Sequence, residues 1–131
     1  MTEEGCQQSV QEELALAREE LRAARQLIDG ALPRVAMTRI YYALFHAVRA
    51  LLYGENLQPK SHRGTLNLFN LHFVKAGVFP AGTSRMLSRL QRFREDADYA
   101  QGFVITGDEA VEELDEAETF VERVIRHLRT D

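Results

Sequence analysis

The segment VAMTRIYYALFHAVRALL, residues 35–52, decides the fold because it carries apolar side chains on nearly every helical face. A helix that is apolar all round is expected at the buried centre of a protein, enclosed by other helices. Pro33 precedes the segment, and proline is well tolerated in the first turn of a helix, where its missing N–H is not needed. Gly54 follows it and ends the helix. This pattern predicts a central helix, helix two, of a bundle.

Four amphipathic segments accompany helix two, each with apolar residues at steps of three and four. Ser9-Val10-Gln11-Glu12 and Thr106-Gly107-Asp108-Glu109 have the form of capping boxes, which predict the starts of the first and last helices. Gly30 fits the position just after helix one, where a left-handed residue is common. The predicted ranges are about Ser9–Asp29 for helix one, Arg63–Lys75 for helix three, Ser84–Tyr99 for helix four and the chain after Thr106 for helix five.

Five helices with short connections favour an all-α, antiparallel up-and-down bundle. Strand-like alternation is weak everywhere, and the connection at residues 101–105 (QGFVI) is too short to change that interpretation. We expect residues 1–8 to be a flexible N-terminal tail and residues 9–131 to form a single helical domain, because 131 residues suffice for one hydrophobic core.

Composition narrows the class of protein. Apolar residues make up 45% and charged residues 27%, which is typical of a globular domain. No apolar run reaches the roughly 20 residues of a membrane span, and the polar start does not resemble a signal peptide, so we expect a cytoplasmic protein without membrane contact. A lone Cys6 predicts no internal disulfide. The net charge of −4 argues against a general nucleic-acid binder and against DNA, although it leaves room for a local basic cleft.

Helix two carries a polar row despite its apolar character. Arg39 and His46 are seven residues apart, so they lie nearly in line and about 10 Å apart along the helix axis. Tyr42 falls between them, and Arg49 and Tyr53 extend the row. Polar side chains on a buried helix are costly unless something polar meets them. The row is therefore the candidate functional site.

The row suits chemistry on a phosphodiester. A histidine can take a proton from a ribose 2′-hydroxyl or give one to the leaving 5′-oxygen, and a guanidinium offers paired donors to phosphate oxygens. This chemistry needs no metal or cofactor, and we expect none. The alternative interpretation is structural: Arg39 pairs with an acidic residue of helix four or five, and His46 is a hydrogen-bonded core histidine.

Two further groups are secondary candidates. Lys60, His62 and Arg63 form a basic cluster that predicts a phosphate or RNA contact; equally, the cluster is a solvated loop whose Ser61 caps helix three. Asp96 and Asp98 near the end of helix four are expected to have a structural role, in which one of them pairs with an arginine of the row and orients it.

Several blocks of the sequence together resemble the HEPN domain family, in particular its small stand-alone members that pair with a minimal nucleotidyltransferase. The resemblance covers residues 10–128, and its blocks are TRIYYALFHA at 38–47, KSHRG at 60–64, FVK at 73–75 and REDADY at 94–99. It implies a helical bundle that forms a homodimer, with the R-x4–6-H motifs of both subunits at a shared cleft. It also implies a metal-independent endoribonuclease, toxin-like and held in check by a nucleotidyltransferase antitoxin. Arg39 matches the motif arginine and His46 the motif histidine.

Three hypotheses follow. In the leading one, His46 is the general acid and base, Arg39 holds the phosphate, Tyr42 and Arg49 support them, and cleavage leaves 2′,3′-cyclic phosphate ends. In the second, the same cleft binds a nucleotide or the partner without catalysis, which the net negative charge and the apolar Leu44 near the histidine favour. In the third, the row is an interior salt-bridge network at a dimer seam.

Overall fold

The structure, a computed structural model, describes residues 2–99 and 102–130. It is 82% helical, and its described residues contain five α-helices and no strand. The expectation of an all-α bundle is confirmed. The helices are α1 (Glu3–Asp29), α2 (Pro33–Gly54), α3 (His62–Phe69), α4 (Gly82–Tyr99) and α5 (Gly107–Thr130), with a π-helical turn at Asn70–Val74 directly after α3.

Helix α2 is the centre of the bundle and packs against α1, α3, α4 and α5. The side-chain pairs Glu13–His46 and Glu20–Arg39 show that residue numbers rise along α1 as they fall along α2, so these two helices are antiparallel. The same reasoning applies to α2 and α4, where Thr38 contacts Asp98 and Tyr42 contacts Arg94. The up-and-down arrangement follows from short connections, which return the chain beside the helix it has just left.

The core is built around α2, as its apolar sequence predicts. More than half of the helix is buried, and among its large side chains Met37, Ile40, Leu44, Val48 and Leu52 are completely enclosed. A second part of the core is aromatic and lies where the π-helical turn meets α5. The rings in contact there belong to Phe69, Phe73, Phe79 and Phe120.

The start of α1 differs from the sequence-based expectation. The helix begins at Glu3, and its cap is Thr2, whose hydroxyl accepts a 3.0 Å hydrogen bond from the Gly5 amide. Glu3 and Glu4 lie in the first turn, where carboxylates interact favourably with the helix dipole. Residues 3–8 are therefore helical rather than a flexible tail, and the predicted cap at Ser9 is wrong.

The end of α1 also differs. The left-handed residue is Ala31, with φ of 61°, whereas Gly30 has an ordinary negative φ. The amide of Ala31 bonds to the Ile28 carbonyl and the amide of Leu32 to the Leu27 carbonyl, the pattern of a Schellman motif. The prediction that glycine takes the left-handed position is therefore wrong by one residue.

Two predicted caps are confirmed. Ser61 accepts a 2.9 Å hydrogen bond from the Gly64 amide and so caps α3. Thr106 and Glu109 exchange reciprocal side-chain bonds to each other's amides, both at 3.1 Å, as a capping box requires. Gln101, part of the expected connection before α5, lies outside the described residues.

Within residues 2–99 and 102–130, no helix combines the length and apolar character needed to cross a membrane.

Candidate active site

The predicted polar row lies along the stripe of α2 that reaches the molecular surface. Its five members are all half-buried, whereas the apolar residues between them are buried. Leu44 is completely enclosed and belongs to the core, not to this stripe. The members of the row are Arg39, Tyr42, His46, Arg49 and Tyr53.

The centre of the row is a network whose acidic partner, Glu13, was not predicted from the sequence. The carboxylate of Glu13, on α1, lies 2.7 Å from Nδ1 of His46 and accepts a 3.0 Å hydrogen bond from Nε of Arg49. Arg49 also donates from Nη2 to the Tyr53 hydroxyl at 2.9 Å. One carboxylate thus holds the histidine and an arginine at once. Because Nδ1 is engaged, Nε2 is the imidazole nitrogen left for chemistry.

Glu13 is buried, with 11% of its side chain exposed. Burial by itself raises the pKa of this carboxyl, but the hydrogen bonds and charges of His46 and Arg49 outweigh burial and lower the pKa below its ordinary value. The carboxylate is therefore ionised at neutral pH. An ionised partner at Nδ1 fixes the orientation and the tautomer of the imidazole.

Arg39, at the N-terminal end of the row, has a separate acidic partner. Its Nη1 lies 3.0 Å from the carboxylate of Glu20, also on α1, and its guanidinium lies 5.4 Å from the ring centroid of Tyr42. The alternative expectation that Arg39 pairs with helix four or five is wrong, because the acidic partner comes from α1. The Arg39 side chain remains 37% exposed, so the guanidinium reaches solvent.

His62, from the basic cluster before α3, reaches this region. Its ring stacks on Phe45 with centroids 4.2 Å apart, and its Nδ1 lies 3.4 Å from the Tyr41 hydroxyl. Lys60 and Arg63 are exposed beside it. The structure therefore brings His62 against α2, next to the row.

The aspartates of α4 do not take the predicted partners. Asp98 accepts a 2.8 Å hydrogen bond from the Thr38 hydroxyl and lies 3.7 Å from Nη1 of Arg94, whereas Asp96 is exposed. The expectation that either aspartate pairs with Arg39 or Arg49 is wrong, because Glu20 and Glu13 already pair with those arginines. Asp98 instead joins α4 to the start of the row.

Glu13 was not among the residues singled out from the sequence, yet a signal for its role is present. Glu13 and Glu20 are seven residues apart, the same spacing as Arg39 and His46. On two antiparallel helices, equal spacing lets both acid–base pairs form in register. The pattern becomes informative only when α1 and α2 are known to be neighbours.

The described residues contain no group of three or more His, Cys, Asp and Glu side chains arranged to hold a metal ion. Among the remaining histidines, His72 is exposed, whereas His127 is half-buried against Phe73 and Phe79.

Comparison with known proteins identifies the family. The family model of the HEPN domain matches residues 10–128, most of the chain. The chain belongs to the HEPN domain family. This HEPN protein is 37% identical over 122 residues, 93% of its own chain and 90% of the other, to "Putative toxin MJ0605" of Methanocaldococcus jannaschii. It is 29% identical over 112 residues, 86% of its chain and 76% of the other, to "Putative toxin MJ0142" of the same organism.

A further relative of the HEPN protein comes from Gloeobacter violaceus. This protein, named "UPF0332 protein glr0978", is 45% identical over 83 residues, which cover 63% of the present chain and 66% of the relative.

Proposed function

We propose that this HEPN protein is a metal-independent endoribonuclease, the toxin-like component of a module that pairs it with a minimal nucleotidyltransferase. The observation that supports this most is the contact of Glu13 with Nδ1 of His46 at 2.7 Å. A buried carboxylate at one imidazole nitrogen prepares the other for proton transfer, as in enzymes whose histidine is a general base.

The proposed reaction is an internal transfer within RNA. Nε2 of His46 takes the proton of a ribose 2′-hydroxyl, and the 2′-oxygen attacks the adjacent phosphorus. The bond from phosphorus to the 5′-oxygen breaks, and that oxygen takes up the proton that His46 received from the 2′-hydroxyl. The products are a 2′,3′-cyclic phosphate end and a 5′-hydroxyl end, and no water is consumed in this step.

Arg39 is proposed to bind the phosphate. Its pairing with Glu20 through Nη1 and its packing over the Tyr42 ring hold the guanidinium at the surface. A guanidinium held in this way stabilises the charge that builds on the phosphate oxygens in the transition state. Tyr42 supports Arg39, and Arg49 supports the histidine through the shared Glu13 carboxylate.

A homodimer is part of this proposal. Arg39 and His46 lie about 10 Å apart along one helix axis, a long reach for a single phosphate. Two-fold pairing of the exposed stripes of α2 would place the arginine of one subunit near the histidine of the other. The toxin names of two relatives support the two-component setting.

The test is cleavage of a mixed RNA pool by the purified protein in EDTA. We expect His46→Ala and Arg39→Ala each to reduce cleavage at least about 100-fold, the lower range of general acid–base and oxyanion effects. His72→Ala, a histidine exposed elsewhere, is the matched control and should cut like the parent. Circular dichroism and sedimentation check that each variant is folded and has the parent's oligomeric state.

Cleavage that survives chelation, depends on His46 and leaves cyclic-phosphate ends supports the ribonuclease. If either alanine variant cuts RNA as well as the parent, the assignment of these residues is wrong. If Arg39→Ala unfolds the protein or dissociates it, the row is a structural network.

One observation favours a second function, a non-catalytic module that binds a nucleotide or the partner. Glu13 and Glu20 already engage three members of the row, Arg39, His46 and Arg49, which reduces the positive charge that the two arginines offer to RNA. A folded dimer that binds a nucleotide but leaves the RNA pool intact would establish this module instead.

A further inference from the structure

An aromatic stack of two buried rings and one exposed ring lies beside the proposed catalytic row. Three rings, those of Tyr41, Phe45 and His62, are nearly parallel, with interplanar angles of 11° to 24° between them. Phe45 is buried beneath His62, whereas His62 is exposed at the first position of α3. Phe45 covers one face of the imidazole and Tyr42 meets the ring edge-on at 6.1 Å, while the His62 side chain as a whole remains exposed.

The stack lies among cations. The guanidinium of Arg94 is 5.2 Å from the Tyr41 centroid, and that of Arg49 is 5.7 Å from the Phe45 centroid. Packing on Phe45 removes part of the water around the His62 ring, and this partial desolvation, followed by the electrostatic effects of Arg94, Arg49 and His46, lowers the pKa of His62 below its ordinary value. The imidazole is therefore uncharged at neutral pH, which makes it a poor partner for a phosphate and leaves it a flat, polarisable ring.

The stack is also close to the catalytic histidine. His46 lies edge-on to Phe45 with centroids 5.9 Å apart, so His46 and His62 contact the same ring. Because His46 and His62 flank one ring, a nucleotide bound at His46 would bring a neighbouring base within reach of the exposed His62 ring. Bases of RNA stack on such rings only where they are unpaired, because pairing in a duplex leaves them stacked on each other.

We propose that His62, supported from below by Phe45, is a stacking platform for an unpaired nucleobase next to the cleaved phosphate. This inference rests on the proposed function and deepens it: His62 contacts an unpaired base rather than a phosphate.

Binding is measured in a His46→Ala background, so that the RNA stays intact. The probe is a short fluorescein-labelled single-stranded oligoribonucleotide, and the readout is fluorescence polarisation. We expect His62→Ala to weaken binding about 5- to 100-fold, the range found when one stacking ring is removed. His62→Phe keeps a flat ring, and its Kd should lie within about threefold of that of the His46→Ala protein with His62 unchanged, since stacking does not require the imidazole nitrogens.

Two controls separate stacking from loss of structure. His72→Ala in the same background should leave the Kd unchanged, because His72 is exposed outside the stack. The second control is a set of oligonucleotides that each lack one base, at a different position in each. When the missing base is the one that stacks on His62, the proteins with and without His62→Ala should bind with equal Kd. A merely unfolded His62→Ala protein would bind every oligonucleotide poorly.

Equal binding by the His62 and His62→Ala proteins would overturn the platform, and so would His62→Phe binding as weakly as His62→Ala. Cleavage by the parent is scored separately. If the parent cuts RNA while His62→Ala has no effect on binding, only the platform fails. If the parent neither cuts nor binds RNA, the proposed ribonuclease fails with it.

Discussion

Replacing Glu13 by Gln removes the charge that joins His46 and Arg49 to α1 while keeping the shape of the side chain. Breaking a fully buried ion pair costs about 3–5 kcal/mol, and a hydrogen bond to a charged group contributes about 1.5–3 kcal/mol. Here about a fifth of the His46 and Arg49 side chains is exposed, so water replaces part of the lost interaction. We expect the free energy of unfolding to fall by about 1–2 kcal/mol, or the Tm by about 4–8 °C.

The effect of Glu13→Gln should depend on pH. The pKa of Glu13 is lowered in the folded protein, so its contribution to stability is complete above the ordinary carboxyl pKa of 4.5. That contribution is lost as the pH falls through the lowered, folded-state pKa. The stability difference between the parent and the variant should therefore be largest near neutral pH and shrink steadily in the acid range below 4.5.

The assay is urea unfolding followed by circular dichroism across this pH range. Glu19→Gln, the same change at an exposed position of α1, is the matched control and should alter the free energy of unfolding by less than about 0.5 kcal/mol. The reasoning would be refuted by a Glu13→Gln effect no larger than that of the control. A stability difference that stays constant from neutral to acid pH would refute it equally.

Two further predictions concern α1. Ala31→Gly should stabilise the protein by about 0.5–1 kcal/mol, because glycine adopts the left-handed φ of 61° without strain. The control Ala15→Gly, on the exposed face of α1, should destabilise it by about 1 kcal/mol. Thermal unfolding compares the two variants, and effects of the same sign would contradict the left-handed conformation of residue 31. Glu20→Gln should lower the proposed RNA cleavage about tenfold, because Arg39 loses its ion-pair partner and is held less firmly, and the Tm should change little. An unaltered kcat/KM would show that the Glu20–Arg39 pair does not position the arginine.

Much of the fold could be predicted from local patterns. The apolar character of residues 35–52 identified α2 as the buried centre, and the capping residues Ser61 and Thr106 marked the starts of α3 and α5. These features depend on neighbours within a few residues, which a sequence displays directly. The start of α1 was missed because Ser9-Val10-Gln11-Glu12 has the form of a capping box, while Thr2 provides the cap.

The candidate site was predictable only in part. Arg39 and His46 stood out because polar residues on an apolar helix need a polar partner, but the identity of that partner was not readable. Glu13 resembles the other acidic residues of α1 in sequence, and only its 11% side-chain exposure and its contact with His46 distinguish it.

The sequence by itself determined five helices, the central place of α2 and the polar row along it, because helical periodicity and capping are local properties of the chain. Only the tertiary structure decided which charges meet. The rotation and offset of α1 against α2 bring Glu13 to His46 and Glu20 to Arg39, and the packing of α3 brings His62 onto Phe45. Such contacts join residues far apart in the chain, so their geometry is set by how whole helices pack rather than by any single segment.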